Sequence, residues 1–257
     1  GPFLMGSDKK KDAIADGDEQ PEREVALPAY FVARYPVTHA QYLAFVEAAG
    51  HSRPIAEVDE ARPSEWRDGQ PPGHLINYPV VLVTWYGTQA YCRWLTQQLR
   101  GWEKTPEPLA RLLREEGWQV TLPTEAQCGK AARGTDGRIF PWGDEPAPHR
   151  ADYHDTEIGR ISAVGCFPAG ASPYGAEDMS GNVWEWCATP WQESYRDYRD
   201  DNDPAGDAPR VLRGGAFFSD QRNVRCASRY GFSRSVGARP TLRVRHAGLP
   251  LRLRKTP

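Results

Sequence analysis

The chain has 257 residues, with 32 lysines and arginines against 34 aspartates and glutamates and a formal net charge of −2. That length suits one large domain or two small ones with a real buried core, and the near-neutral charge supplies no general attraction to nucleic acid or an anionic membrane. No run approaches the roughly 18 apolar residues that a membrane span needs, and the N-terminus lacks a basic-then-apolar signal pattern. As written, the chain is expected in the cytoplasm. It opens in mid-phrase at Gly1-Pro2-Phe3, which leaves an upstream signal or domain open.

Regular structure is expected to be sparse, because 24 glycines and 23 prolines interrupt the chain too often for long helices or strands. Residues 24–27 and 30–33 are the first strand candidates. Thr38 then caps a helix whose apolar face is Tyr42, Phe45, Val46 and Ala49, and Gly50 stops it. After a strand candidate at 80–83, a second helix follows Thr84, with Ala90, Tyr91, Trp94 and Leu95 at helical spacing, and ends near Gly101. Residues 106–116 read as an amphipathic insertion. Thr124 with Gln127 three positions on forms a capping box for a third short helix through Ala131 and Ala132. The remaining strand candidates are 119–122, 211–214 and 241–245. Residues 53–73 and 192–209 read as long polar loops, and no internal repeat is present.

Five cysteines, Cys92, Cys128, Cys166, Cys187 and Cys226, are scattered without a CxxC pair. The odd count argues against a complete disulfide framework and for buried reduced thiols. Over residues 210–255 arginine recurs densely while acids almost vanish. This run reads either as a solvated basic surface, the commoner outcome, or as a face for an anionic partner.

Several phrases stand in a fixed order: FLMGS at 3–7, YPVTHAQYLAFV at 35–46, YPVVLVTWYGTQAYCRWL at 78–95, LPTEAQ at 122–127 with KAARG at 130–134, and FPWGDE at 140–145. VGCFPAG at 164–170, YGAEDMSGNVWEW at 174–186 and RVLRGGAFF at 210–218 complete the set. Together they resemble the formylglycine-generating-enzyme domain, or sulfatase-modifying-factor family, along nearly the whole chain to about Arg245. The resemblance implies a single domain over 1–257 with an α+β, C-type-lectin-like fold: a small twisted antiparallel sheet, two flanking helices and extensive ordered loops. It makes Trp184 and Trp186 scaffold, in keeping with the core preference of large aromatics. It also implies a structural calcium ion held by Asn182, the Val183 carbonyl and Glu185, hard oxygen donors of the class calcium prefers; plain loop hydrogen bonding is the alternative. Asp152 and Asp155 are a second, weaker candidate pair.

In the family's oxidase, two cysteines shortly after the RGG motif bind copper, and soft thiolates suit Cu(I). Counted forward from Arg213-Gly214-Gly215, the corresponding positions here are Ser219 and Val224; counted back from Cys226, the second is Arg222. Neither register gives a thiol pair, so no copper and no catalytic residue are expected. The six histidines include no HxxxH or HxxxE helix of the related sulfoxide synthases, and His149 and His154 fall in a loop. Cys128-Gly129 and Arg243-Val244-Arg245 depart from the family's Trp-Glu and its GFR ending, which points to local repacking.

Another branch of the family comprises the variable proteins of diversity-generating retroelements, and the chain resembles them most. Adenine replacement in AAY codons never yields Lys, Glu, Gln, Met or Trp, and residues 222–254 contain none of the five. RYGFSRSVGARP at 229–240 lacks a hydrophobic period and reads as a loop rather than a core strand. Its mixture of aromatics with small residues is that of adaptable paratopes. The expected reading is a non-catalytic ligand-binding protein whose variable segment is 210–245. Its contact residues would be Phe218, Ser219, Asp220, Tyr230, Gly231, Phe232, Ser233, Ser235, Val236, Gly237 and Arg239, with Ser219 and Asp220 turned outward. The partner would be a protein or other macromolecule. The alternatives are a metal-dependent oxidase or sulfoxide synthase, and an accessory domain of a larger signalling protein.

Overall fold

In chain order the elements are β1 (Pro2–Met5), β2 (Arg23–Ala26), β3 (Phe31–Val32), α1 (His39–Ala49), α2 (Trp85–Gly101), α3 (Leu109–Arg114), β4 (Trp118–Thr121), α4 (Glu125–Arg133), β5 (Trp184–Pro190), β6 (Arg210–Arg213), β7 (Arg229–Phe232), β8 (Ala247–Gly248) and β9 (Arg252–Lys255). They come from a computed structural model that describes residues 1–50, 66, 69–200, 202–234, 247–248 and 252–255. The strands form three small sheets, ordered β1-β2, β3-β9-β4 and β7-β6-β5-β8. All pairings are antiparallel except β5 with β8, which is parallel. The fold is therefore α+β with small sheets, few helices and long ordered loops.

Local sequence explains the helices. Thr38 and Thr124 each accept a hydrogen bond from the backbone of a glutamine three residues on, whose side chain returns the bond to the cap. Gly50 ends α1 in the left-handed conformation that lacks a Cβ penalty. Within α1, Tyr42 and Phe45 are buried and Val46 is half-buried, whereas Ala49 is exposed. All nine residues of α4 are buried, charged ones included.

Alternation along β5 sorts two cores. Trp184, Trp186 and Ala188 join Tyr42, Phe45, Trp85, Tyr91 and Leu212 in the main aromatic cluster beneath α1 and α2. Cys187 faces the other way, with Cys128, Met179, Val211 and Cys226. Two indoles also bond across this core: Trp186 donates to the Val83 carbonyl at 3.0 Å, and Trp85, at the start of α2, to the Cys187 carbonyl in β5 at 3.0 Å.

Two strand expectations fail. Val80, Val81 and Val83 are buried, but the segment is irregular, because half-buried Leu82 adopts a positive φ of 60° that breaks the extended run. Conversely, Arg229–Phe232 is strand β7, paired with β6 from Arg210↔Phe232 to Arg213↔Arg229. The expected strand at 241–245 lies outside the described residues.

Candidate functional site

Much of the arginine-rich stretch is interior rather than a solvated basic surface, although Arg222 is exposed. Arg210, Arg213, Arg225, Arg229 and Arg234 are 0–6 % exposed. Arg229 grips Glu125 with two bonds of 2.7 and 3.0 Å and stacks over Trp191 and Tyr195, whose hydroxyl donates to the same carboxylate at 2.7 Å. Arg213 joins this cluster 3.5 Å from Glu125 and donates to the Ala227 and Cys226 carbonyls. Arg225 holds both oxygens of Glu19 and one of Asp12, all at 2.6–2.7 Å. These bonds pin the chain after the RGG motif to the N-terminal loop and to α4.

That pinning corrects part of the expected contact surface. Ser219 does not turn outward: it is 5 % exposed, its Oγ accepts the Ala216 N–H at 3.0 Å, and its carbonyl accepts the His154 N–H at 2.9 Å. Phe218 is half-buried against the main core. Asp220 is exposed, as expected, but its carboxylate caps the turn by accepting from the Arg222 and Asn223 backbone. Tyr230 and Phe232 are half-buried, their rings 6.2 Å from Trp184 and 5.9 Å from Trp186. Gly231 faces the opposite side, where an added Cβ would come within 2.7 Å of the Trp191 ring. Ser233 is exposed. Ser235, Val236, Gly237 and Arg239 lie outside the described residues. The exposed residues are thus Asp220, Gln221 and Arg222, on the turn after β6, and Ser233, at the other end of the β6–β7 pair, where Arg234 binds the loop before β6.

The GNVWEW turn is closely supported. Gly181 has φ +77°, and a Cβ there would fall 2.2 Å from the Asp152 carbonyl, so only glycine fits. Asn182 follows at φ 59°, fully buried, its amide accepting from the Ser162 N–H and donating to the Ser162 carbonyl, each at 3.2 Å. Glu185 is 4 % exposed and lines a small cavity with Cys128, Glu177 and Met179. Burial, and then the nearby Cys128 and Asp178, push its carboxyl well above the usual range. The donor set Asn182, Val183 and Glu185 has the hard-oxygen chemistry of a calcium site, and the Asn182 amide is already engaged by Ser162.

Asp152 and Asp155 are not brought together. Asp155 is exposed and pairs with His154 at 3.1 Å. Asp152 is buried without a well-formed hydrogen bond to either carboxylate oxygen, and its electrostatic neighbour is Asp178. Both acids are pushed up to about 6, mainly by burial. Asp178 carries a positive φ of 57° and accepts the Gly165 N–H at 2.9 Å. Sequence reasoning missed it because no spacing links 152 to 178. It likewise missed the meeting of Cys128 on α4 with Cys187 on β5, 59 positions apart.

Among the described residues, no group of three or more His, Cys, Asp or Glu side chains is arranged to hold a metal, and no helix is long and apolar enough to cross a membrane.

A family model for the sulfatase-modifying factor enzyme 1-like domain matches residues 1–243. The chain is 31% identical over 268 residues to the formylglycine-generating enzyme of Thermomonospora curvata, covering 84% of this chain and 80% of that protein. It is 30% identical over 242 residues to the serine/threonine-protein kinase pkn1 of Chlamydia caviae, covering 90% of this chain but only 34% of the kinase's length. Among solved structures, Treponema denticola variable protein 1 superposes with a TM-score of 0.68 at 22% identity, covering 98% of this chain and 91% of that one.

Proposed function

From the premise that the chain belongs to the sulfatase-modifying-factor domain family, we propose that it is a non-catalytic recognition domain for a protein or other macromolecular ligand. One observation carries the reading. The two positions after RGG at which the family's oxidase holds its copper thiols are Ser219 and Val224 here, and both are committed to the scaffold. Ser219 closes the turn that follows Ala216, and Val224 is fully buried with Phe140, Ala151 and Tyr153. A hydroxyl and an aliphatic side chain cannot replace a soft bis-thiolate. In the other register the second position is Arg222, an exposed cation at the rim.

The recognition surface lies where a rigid support meets exposed side chains: Asp220, Gln221 and Arg222 on the turn after β6, with Ser233 exposed past the far end of β7. A pre-organised backbone spares a binding surface the cost of ordering loops. The variable-protein version of this reading adds that the coding sequence for 217–240 is diversified. Calcium is proposed at Asn182, Val183 and Glu185 as a structural ion, since Glu185 is a buried carboxyl with the Cys128 thiol and the Asp178 carboxyl as its neighbours.

Sequencing the 3′ end of the gene across isolates tests the variable-protein version. Substitutions confined to codons 217–240, at adenines of a nearby template repeat, are expected. An invariant 3′ end removes diversification and leaves a fixed-specificity domain. Oxygen uptake by copper-loaded protein in the presence of a cysteine-containing sulfatase peptide would remove the non-catalytic reading altogether.

A further inference from the structure

Arg34 spends its bonds to Glu177 on a single oxygen: its Nε and a terminal nitrogen reach Oε1 at 2.9 and 2.7 Å. The Glu177 backbone is held as well, its N–H donating to the Arg34 carbonyl at 2.8 Å. The other carboxylate oxygen, Oε2, is buried without a hydrogen-bond partner among the described residues, on a side chain that is 2 % exposed. Glu177 lines a cavity with Tyr30, Val32, Tyr35, Pro36 and Met179, where the space open to a water-sized group is about 20 Å3, enough for about one such group. The wall reaches the surface at Tyr35, 38 % exposed. A Cβ on Gly165 would fall 2.8 Å from Tyr35 Cε1 and 3.5 Å from Glu177 Oε2. With φ +76° and no side chain, Gly165 leaves the corner between ring and carboxylate open.

We propose that this cavity binds a primary ammonium group, of a small alkylamine or of a lysine side chain, with Glu177 Oε2 as its acceptor. Binding requires no change of protonation in the protein, and the proposal does not depend on the recognition reading.

Three features select that chemistry. A carboxylate oxygen forms its stronger hydrogen bonds with a charged donor, and Arg34 leaves Oε2 for one. Val32, Pro36 and Met179 offer carbon surface to the carbon next to the nitrogen, where a lone water finds few of the two to four polar partners it needs. The rings of Tyr30 and Tyr35 complete the wall, and aromatic rings attract a cation placed over their faces. The small volume admits a primary ammonium head and excludes a quaternary one.

The test is saturation-transfer NMR on the full chain with methylammonium chloride, in the presence of a calcium chelator because Glu185 lines the same cavity. Saturating the aromatic protons of the protein should transfer magnetisation to the methylammonium methyl group. Ammonium chloride should displace it; potassium chloride and tetramethylammonium chloride at equal ionic strength should not, since neither cation has an N–H to donate. Nα-acetyl-lysine methylamide separates the two sources: displacement assigns the site to a lysine side chain, and failure to displace assigns it to a small amine. Glu177→Gln should weaken methylammonium binding by roughly tenfold or more, the worth of one hydrogen bond to a charged group. Ala33→Leu, which enlarges another side chain of the wall, should block binding with Glu177 intact. The competition series on wild type keeps the proposal falsifiable even where a variant folds poorly. No transfer to the methyl group in the folded protein would overturn it and leave the cavity to water. So would displacement by potassium or tetramethylammonium as strong as by ammonium, or unchanged binding by a well-folded Glu177→Gln variant.

Discussion

Replacing Arg225 with methionine is expected to be among the most damaging single changes outside the aromatic core. The guanidinium is 1 % exposed and makes three charge-assisted bonds of 2.6–2.7 Å, two to Glu19 and one to Asp12. Methionine preserves much of the volume and removes every donor. Glu19 keeps only the Ser7 hydroxyl at 3.0 Å, and both acids remain 1 % and 6 % exposed. Leaving buried carboxylates without their cation costs about 3–5 kcal/mol, and for a domain of this size that lowers the melting temperature by roughly 6–20 °C. The assay is urea unfolding of wild type, Arg225→Met, Glu19→Gln and the double variant. The double variant should recover part of the loss, since the cost lies in the abandoned charge. A loss below about 1 kcal/mol for Arg225→Met, the range of exposed pairs, would refute the claim that this cluster is what anchors the loop after RGG.

Three further outcomes are expected. Tyr230→Ala and Phe232→Ala should each cost about 1–3 kcal/mol, less than the loss of a fully buried aromatic, because their rings rest half-buried on Trp184 and Trp186; unchanged melting curves would show that the rings are free surface. Asp152→Asn should stabilise the protein at pH 7.5 but not at pH 3.5. The folded carboxyl is raised to about 6 by burial, so wild-type stability falls as pH rises from the unfolded value through that point; a pH-independent difference in urea midpoint would contradict this. Removing calcium with a chelator should lower the melting temperature of wild type and leave Glu185→Gln almost unaffected; equal responses would place the ion elsewhere.

The parts that were legible in the sequence are those set by neighbours along the chain. Thr38 and Thr124 announce their helices because a cap needs only the glutamine three residues away, and Gly50 because αL geometry is a one-residue property. Arg229–Phe232 was missed as a strand for the complementary reason. Its alternation of Tyr230 and Phe232 with Arg229 and Gly231 is real, but Arg229 reads as polar unless Glu125, 104 positions earlier, is known to receive it. Five buried arginines likewise look like surface charge when counted. Burial of an arginine is decided by a distant carboxylate or carbonyl, and composition carries no such information.

The same buried charges bear on which positions tolerate change. Arg213, Arg225 and Arg229 bind the chain on both sides of residues 219–224 to Glu125, Glu19 and Asp12, so the backbone of that turn is held by side chains that do not face solvent. Substitution at Gln221 or Arg222 leaves those ties intact. Substitution at Ser219 removes the hydroxyl that accepts the Ala216 N–H, and an added Cβ at Gly231 meets the Trp191 ring on which Arg229 stacks. If side chains here vary for the sake of recognition, the variation must therefore follow the support rather than the sequence run. It should fall at 221, 222 and 233 and spare 219, 229 and 231. A binding surface chosen by exposed position and held by interior ion pairs can change its contacts without changing its backbone.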